Sequence, residues 1–134
     1  MIVRALALAG GLFALSGCSK AEEAKKAVDA AEAKLKSGDL PGACTDYDAA
    51  AVAYPDTLDA ITGSAFCALA AGNADQADKI LAAAEPKAKE ALPQIKLRRA
   101  LVALHAGKLE EVKTYGEASG LPMGKLLSAE VNGR

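Results

Sequence analysis

The sequence contains no tryptophan, and its aromatic side chains are limited to two phenylalanines and three tyrosines. Strand-built cores draw on aromatic and β-branched residues, so this scarcity argues for helices packed closely through small side chains. Histidine occurs once, as His105, which excludes any two-histidine metal motif. Its place in the last turn of a helix is accounted for by contacts with the helix dipole and the terminal carbonyls. No glycine-rich phosphate loop follows a strand pattern, and no cysteine pair has C-x-x-C spacing, which argues against thioredoxin-like redox chemistry. There is also no basic block: 16 basic side chains face 17 acidic ones, so nucleic acid is excluded as a partner. Neighbouring carboxylates occur at Asp46 and Asp48 and at Glu110 and Glu111. On a helix such pairs point apart and read as solvated faces. No residues remain for a catalytic centre, a metal or a cofactor, and the expectation is a protein that is not an enzyme.

The N-terminus carries a different kind of information. Arg4 precedes an apolar stretch, residues 5–15, that is too short and too rich in alanine to span a bilayer. It closes on Leu15-Ser16-Gly17-Cys18, which resembles the lipobox of bacterial lipoprotein precursors. The resemblance implies that residues 1–17 are a signal peptide and that the Cys18 thiol receives the lipid and becomes the first residue of the mature protein. It further implies a periplasm-facing location in the cell envelope, with Ser19 rather than Asp after the cysteine directing the protein to the outer membrane. Removal of residues 1–17 leaves 117 residues, with 15 basic side chains against 17 acidic ones. That is enough chain for one small domain, residues 18–134.

In the oxidising compartment that this implies, Cys44 and Cys67 remain as an even pair. They form a disulfide or lie as two buried apolar thiols. A bridge would close a span of 23 residues, for which the chain-entropy model gives about 3 kcal/mol.

Three segments share one pattern: a helical run, a glycine turn, a second run with small residues at fixed places, and a break. The turns centre on Gly38, Gly72 and Gly107. Glycine suits a helix end that must turn through the left-handed region. Ala43, Ala77 and Val112 follow five residues after the glycines, Tyr47 and Leu81 nine after, and Ala50 and Ala84 twelve after. This spacing keeps them on one helical face. Ala31, Ala65 and Ala100 lie seven residues before the glycines as the facing contacts.

The run from Gly38 to Ala50, closing at Tyr54-Pro55, resembles the tetratricopeptide repeat in its turn, both alanines, the aromatic and the proline. The second unit has Leu81 for the aromatic, and the third has Val112 for alanine and Gly116 in the aromatic position. The resemblance implies an all-α, short right-handed solenoid of about three hairpins, over residues 24–57, 58–92 and 93–122, with a capping helix over 123–131. Lys96 and Arg99 break the apolar register counted from Gly107, and a slip of one residue places Leu97, Ala100, Leu101 and Leu104 on the core stripe. Met123, Leu126, Leu127 and Val131 are expected to cover the end of the array. The first helix is expected from about Lys20 to Lys36, started by a Ser19/Glu22 capping box and supported by Glu22–Lys26 and Glu32–Lys36 pairs.

In the family the first helices line a groove that accepts a peptide or partner helix. By position this nominates Glu32, Lys36, Thr62, Phe66, Leu101 and His105. Phe66 is the best anchor, although burial of Phe66 and Leu101 in the core is the preferred placement. The implied function is a lipid-anchored adaptor that binds another envelope protein or peptide, with membrane attachment through Cys18. A self-assembling structural lipoprotein, in which homo-oligomers form, and a regulatory subunit of a periplasmic enzyme are the rival expectations.

Overall fold

The computed structural model describes residues 20–133. These form α1 (Lys20–Lys36), α2 (Leu40–Ala53), α3 (Leu58–Ala70), α4 (Ala74–Ala84), α5 (Leu92–His105), α6 (Leu109–Ser119) and α7 (Pro122–Asn132), with no strand among the described residues. Two short 3-10 turns, Glu85–Lys87 and Lys89–Ala91, join α4 to α5. Each helix packs on the next in the chain, giving a short solenoid of hairpins α1–α2, α3–α4 and α5–α6 with α7 at its end. Cys18, Ser19 and the signal-type segment lie outside the described residues.

The three hairpins close in the same way. Gly38, Gly72 and Gly107 have φ of +86°, +80° and +72°, values at which a side chain would clash with its own backbone. The residue after each glycine donates its amide back to a helix carbonyl five positions earlier, Asp39 to Lys34, Asn73 to Ala68 and Lys108 to Ala103, each at 2.9 Å. This seals the orphan carbonyls of the first helix. The Asp39 and Asn73 side chains then accept from the Gly42 and Gln76 amides and cap the second helix. Lys108 cannot cap, and instead binds Asp75 of the preceding hairpin at 2.8 Å.

Between these turns the helices meet through small residues. Ala31, Ala43, Ala60, Ala77 and Ala100 are wholly buried, with Val112 and Ile95 in the third hairpin. One core cluster gathers Val28, Ala31, Ala43, Tyr47, Ala50, Ala60 and Cys67. A second gathers Ala65, Ala77, Leu81, Ala84, Ile95 and Val102. Cys44 of α2 and Cys67 of α3 are joined with their Cα atoms 5.5 Å apart, linking the first hairpin to the second. On α1 the close ion pair is Lys25–Asp29 at 2.6 Å rather than Glu22–Lys26, and Glu32–Lys36 stands at 4.0 Å. The carboxylates expected to be solvated find partners across helices: Asp46 binds Lys34 at 2.7 Å and Asp48 accepts from Ser64 at 2.6 Å.

The one-residue slip in α5 does not occur: Ile95, Ala100, Val102 and Ala103 are buried, while Leu101 and Leu104 are 43% and 41% exposed. The register counted from Gly107 stands, because the charged side chains that seemed to break it have partners, described below.

Of the four residues expected to seal the end of the array, Leu127 and Val131 are half-buried, while Met123 and Leu126 are more than half exposed. Gly116 of α6 and Gly124 of α7 instead bring the two backbones together, and the Ser128 hydroxyl donates to the Lys113 carbonyl at 3.1 Å. A Cβ on Gly116 would lie 2.5 Å from the Gly124 carbonyl oxygen. Gly116→Ala is therefore expected to push α7 away and cost about 1–3 kcal/mol. In chemical denaturation Gly133→Ala, whose Cβ would meet atoms only at 3.7 Å, serves as the near-neutral control. A Gly116→Ala protein as stable as wild type would contradict this packing.

Candidate functional site

The alanines that set the seams also decide what faces outward. Glu32, Phe66 and Leu101 each follow the buried alanine of their helix, Ala31, Ala65 and Ala100. One turn further on, Leu35, Leu69 and Leu104 repeat in the same way. All of these but Leu104, on α1, α3 and α5, border a groove whose floor is Tyr47 of α2 and Leu81 of α4.

Two cavities share its central wall. The first, about 210 Å³, is apolar and lies between α3 and α5, with Ala65, Phe66, Leu69, Leu101 and Val102 around it. The second, about 270 Å³, lies between α1 and α3 and brings Glu32 and Asp59 together with Leu35 and Tyr47. Thr62, Phe66 and Arg98 border both. Phe66 is 46% exposed and Leu101 43%, so neither fills the core. The preference for burial is thus overturned, because the alanine seams leave no inward volume for a ring or an isobutyl group.

Of the six nominated residues, Glu32, Thr62, Phe66 and Leu101 come together in the groove. Lys36 and His105 do not line it: both are exposed near the ends of their helices, and Lys36 reaches only toward Glu32. Leu35, Asp59, Leu69, Arg98 and Val102 were not nominated. Their signal lay in the spacing of three or four residues from the nominated positions on the same helices.

The orientation of α5, and with it the outward placement of Arg98 and Leu101, is held by an ion cluster. The Arg99 guanidinium donates to both Asp78 carboxylate oxygens, at 2.7 and 2.9 Å, and to Glu85 at 2.7 Å. It also donates to the Tyr115 hydroxyl at 2.7 Å, with its central carbon 4.1 Å from that ring's centre. Lys96 adds a second bond to Glu85 at 2.8 Å. The cluster ties α5 to α4, to the turn after it and to α6. The hydrogen bonds with Asp78, aided by those with Glu85, hold Arg99 charged beyond the usual arginine range against the penalty of burial. For Glu85, burial works upward, but the bonds from Lys96 and Arg99 outweigh it and its carboxyl sits below the ordinary glutamate value.

Among the described residues no group of three or more His, Cys, Asp or Glu side chains could hold a metal ion. No helix among them is long and apolar enough to cross a membrane.

No protein-family model matches the sequence, and no curated protein matches it either. Solved structures do match. The second TPR domain of the human RPAP3 protein, determined in complex with the HSP70 peptide SGPTIEEVD, superposes with a TM-score of 0.70 at 18% identity. That match covers 83% of this chain and 96% of the other. The Yersinia enterocolitica type III secretion translocator chaperone SycD gives a TM-score of 0.71 at 20% identity, over 92% of this chain and 88% of that one. SycD in complex with a peptide of the translocator YopD gives 0.67 at 20% identity, over 84% and 88%. The described chain therefore has the fold of a tetratricopeptide-repeat domain, an all-α helical-repeat solenoid.

A carboxylate whose folded value is depressed contributes stability above its unfolded value, and that contribution is lost as pH falls through the folded value. Glu85→Gln should thus cost about 1–2 kcal/mol at pH 7. In urea titrations the difference from wild type should begin to shrink below the ordinary glutamate value of 4.5 and close at lower pH. A difference that stays constant down to pH 2 would show that Glu85 is not part of the ion cluster.

Proposed function

We propose that the protein is a non-enzymatic helical-repeat adaptor, anchored by lipid on Cys18, that receives a segment of another cell-envelope protein in the groove between α1, α3 and α5. The observation that carries this reading is the half-exposed pair Phe66 and Leu101 beside an apolar cavity of about 210 Å³. Large side chains held open next to a rigid small-residue scaffold are suited to anchoring a partner residue, since they lose little entropy on binding. Peptide complexes of RPAP3 and SycD, which share the fold, support the same use of it. The placement at the periplasmic face of the outer membrane rests on Leu15-Ser16-Gly17-Cys18 and Ser19. A Cys44–Cys67 bridge is in keeping with an oxidising compartment.

A second reading, self-assembly as a structural lipoprotein, draws on Met123 and Leu126, which are 53% and 57% exposed on α7. The two readings diverge in a crosslinking experiment. A photoreactive phenylalanine analogue in place of Phe66 or Leu101 should give an adduct with one common envelope protein in living cells. The same analogue in place of Val52, 83% exposed on α2, should not. Adducts with a second copy of the chain alone would move the assignment to self-assembly, and equal adducts from all three positions would sink the groove.

The anchor has its own test. Cys18→Ser should end incorporation of labelled palmitate and release the protein from the membrane fraction. Continued membrane retention of that variant after signal cleavage would contradict lipid attachment.

A further inference from the structure

The cavity between α1 and α3 differs in chemistry from its apolar neighbour. Glu32 enters it from α1 and Asp59 from α3, with Leu35 and Phe66 beside them. Tyr47 forms part of its wall and is only 6% exposed as a residue, and its hydroxyl, which has no hydrogen bond to another described residue, is the part of it that reaches solvent, since no buried side-chain polar atom among the described residues is unpartnered. Gly63 allows the ring to lie flat against α3, since a Cβ there would collide with it. Burial, reinforced by the charges of Glu32 and Asp59, keeps the phenol protonated well into the alkaline range. A neutral hydroxyl thus waits at the base of a site bordered by two carboxylates.

The cationic side chain bordering this cavity is Arg98, shared with the apolar one, and it makes no ion pair with either carboxylate among the described residues. Lys36 approaches Glu32 from outside the cavity, at 4.0 Å. Counted over the lining alone, two carboxylates (Glu32, Asp59) stand against one guanidinium (Arg98), a net charge of −1, with Lys36 partly offsetting Glu32 from outside. A carboxylate or phosphate group entering it would meet two like charges and one opposite charge, Arg98, whereas an ammonium or guanidinium would meet two opposite charges and an acceptor hydroxyl against the one like charge of Arg98. The long methylene stem of such a residue suits the Leu35 and Phe66 surfaces, which would cover it while the charged head reaches the acids.

We propose that the groove recognises an internal partner segment carrying a lysine or arginine close to a large apolar residue. The cation is seated between Glu32 and Asp59 over Tyr47, and the apolar side chain lies among Phe66, Leu69, Leu101 and Val102. The proposal rests on the groove reading above and adds to it the sign and spacing of the ligand. The two subsites share Phe66 and Arg98, so the two ligand side chains must be near neighbours in space.

The test is selection of random displayed peptides on the full-length protein in detergent. Selected peptides are expected to pair lysine or arginine with leucine, isoleucine or phenylalanine a few positions away. Replacing the peptide's basic residue by norleucine should weaken binding about tenfold or more. The Glu32→Gln/Asp59→Asn protein should show a similar loss toward the parent peptide and none toward the norleucine peptide, which also reports that its groove is intact. Tyr47→Phe should weaken only the basic peptide, by several-fold. Peptides that depend on Phe66 but carry no basic residue, or carry acidic ones, would overturn the cation subsite and leave the groove standing. Peptides indifferent to Phe66→Ala, or none at all, would overturn both.

Discussion

The narrow seam between neighbouring helices is the constraint on which the rest of this structure depends. Ala31, Ala43, Ala60, Ala77 and Ala100 are completely buried, and a methyl group is the largest side chain such a close approach admits. Alanine also costs little to order in a helix. A chain with only five aromatic residues can build a core in this way because each seam buries much backbone and few large groups. The same narrowness has an outward consequence. Side chains next to the seam that are larger than a methyl have no inward space, so Phe66, Leu101 and Leu104 are displaced to the surface. The groove is thus a by-product of how the core is packed.

The third hairpin reaches the same geometry by other means. Val112 replaces alanine at the seam and Gly116 replaces the aromatic, so the contacts that hold the first two hairpins are weakened there. Arg99 compensates on one side by gripping Asp78, Glu85 and Tyr115, which come from three separate elements. On the other side Gly116 becomes an asset, since α7 can approach only because two glycine backbones meet. A partly buried charge cluster of this kind holds its geometry well, and each group removed leaves another less fully paired. It fixes the rotation of α5, and that rotation delivers Arg98 and Leu101 to the groove.

Much of this was legible in the residues before any coordinates. Gly38, Gly72 and Gly107 with the alanines around them define helix, turn and contact face by local spacing alone, and the structure keeps each of them in that role. What spacing could not convey was pairing at long range. Arg99 looks like an error in an apolar register until Asp78 and Tyr115, 21 and 16 residues away, are seen to meet it. Gly116 looks like decay of the repeat until Gly124 is placed opposite. In the groove, Glu32, Thr62, Phe66 and Leu101 followed from repeat position. Lys36 and His105 did not belong because they sit too near their helix ends, and Asp59 and Arg98 were hidden as ordinary surface charges.

The central claim is that tight alanine seams force Phe66 and Leu101 outward while Leu81 and Ile95 are enclosed. Single cysteines at these four positions, probed for their rate of alkylation in the folded protein, test it directly. Positions 66 and 101 should react at rates close to those of the denatured chain, and positions 81 and 95 should be protected by orders of magnitude. Protection at 66 and 101 equal to that at 81 and 95 would mean that these side chains are core, and that the groove does not exist.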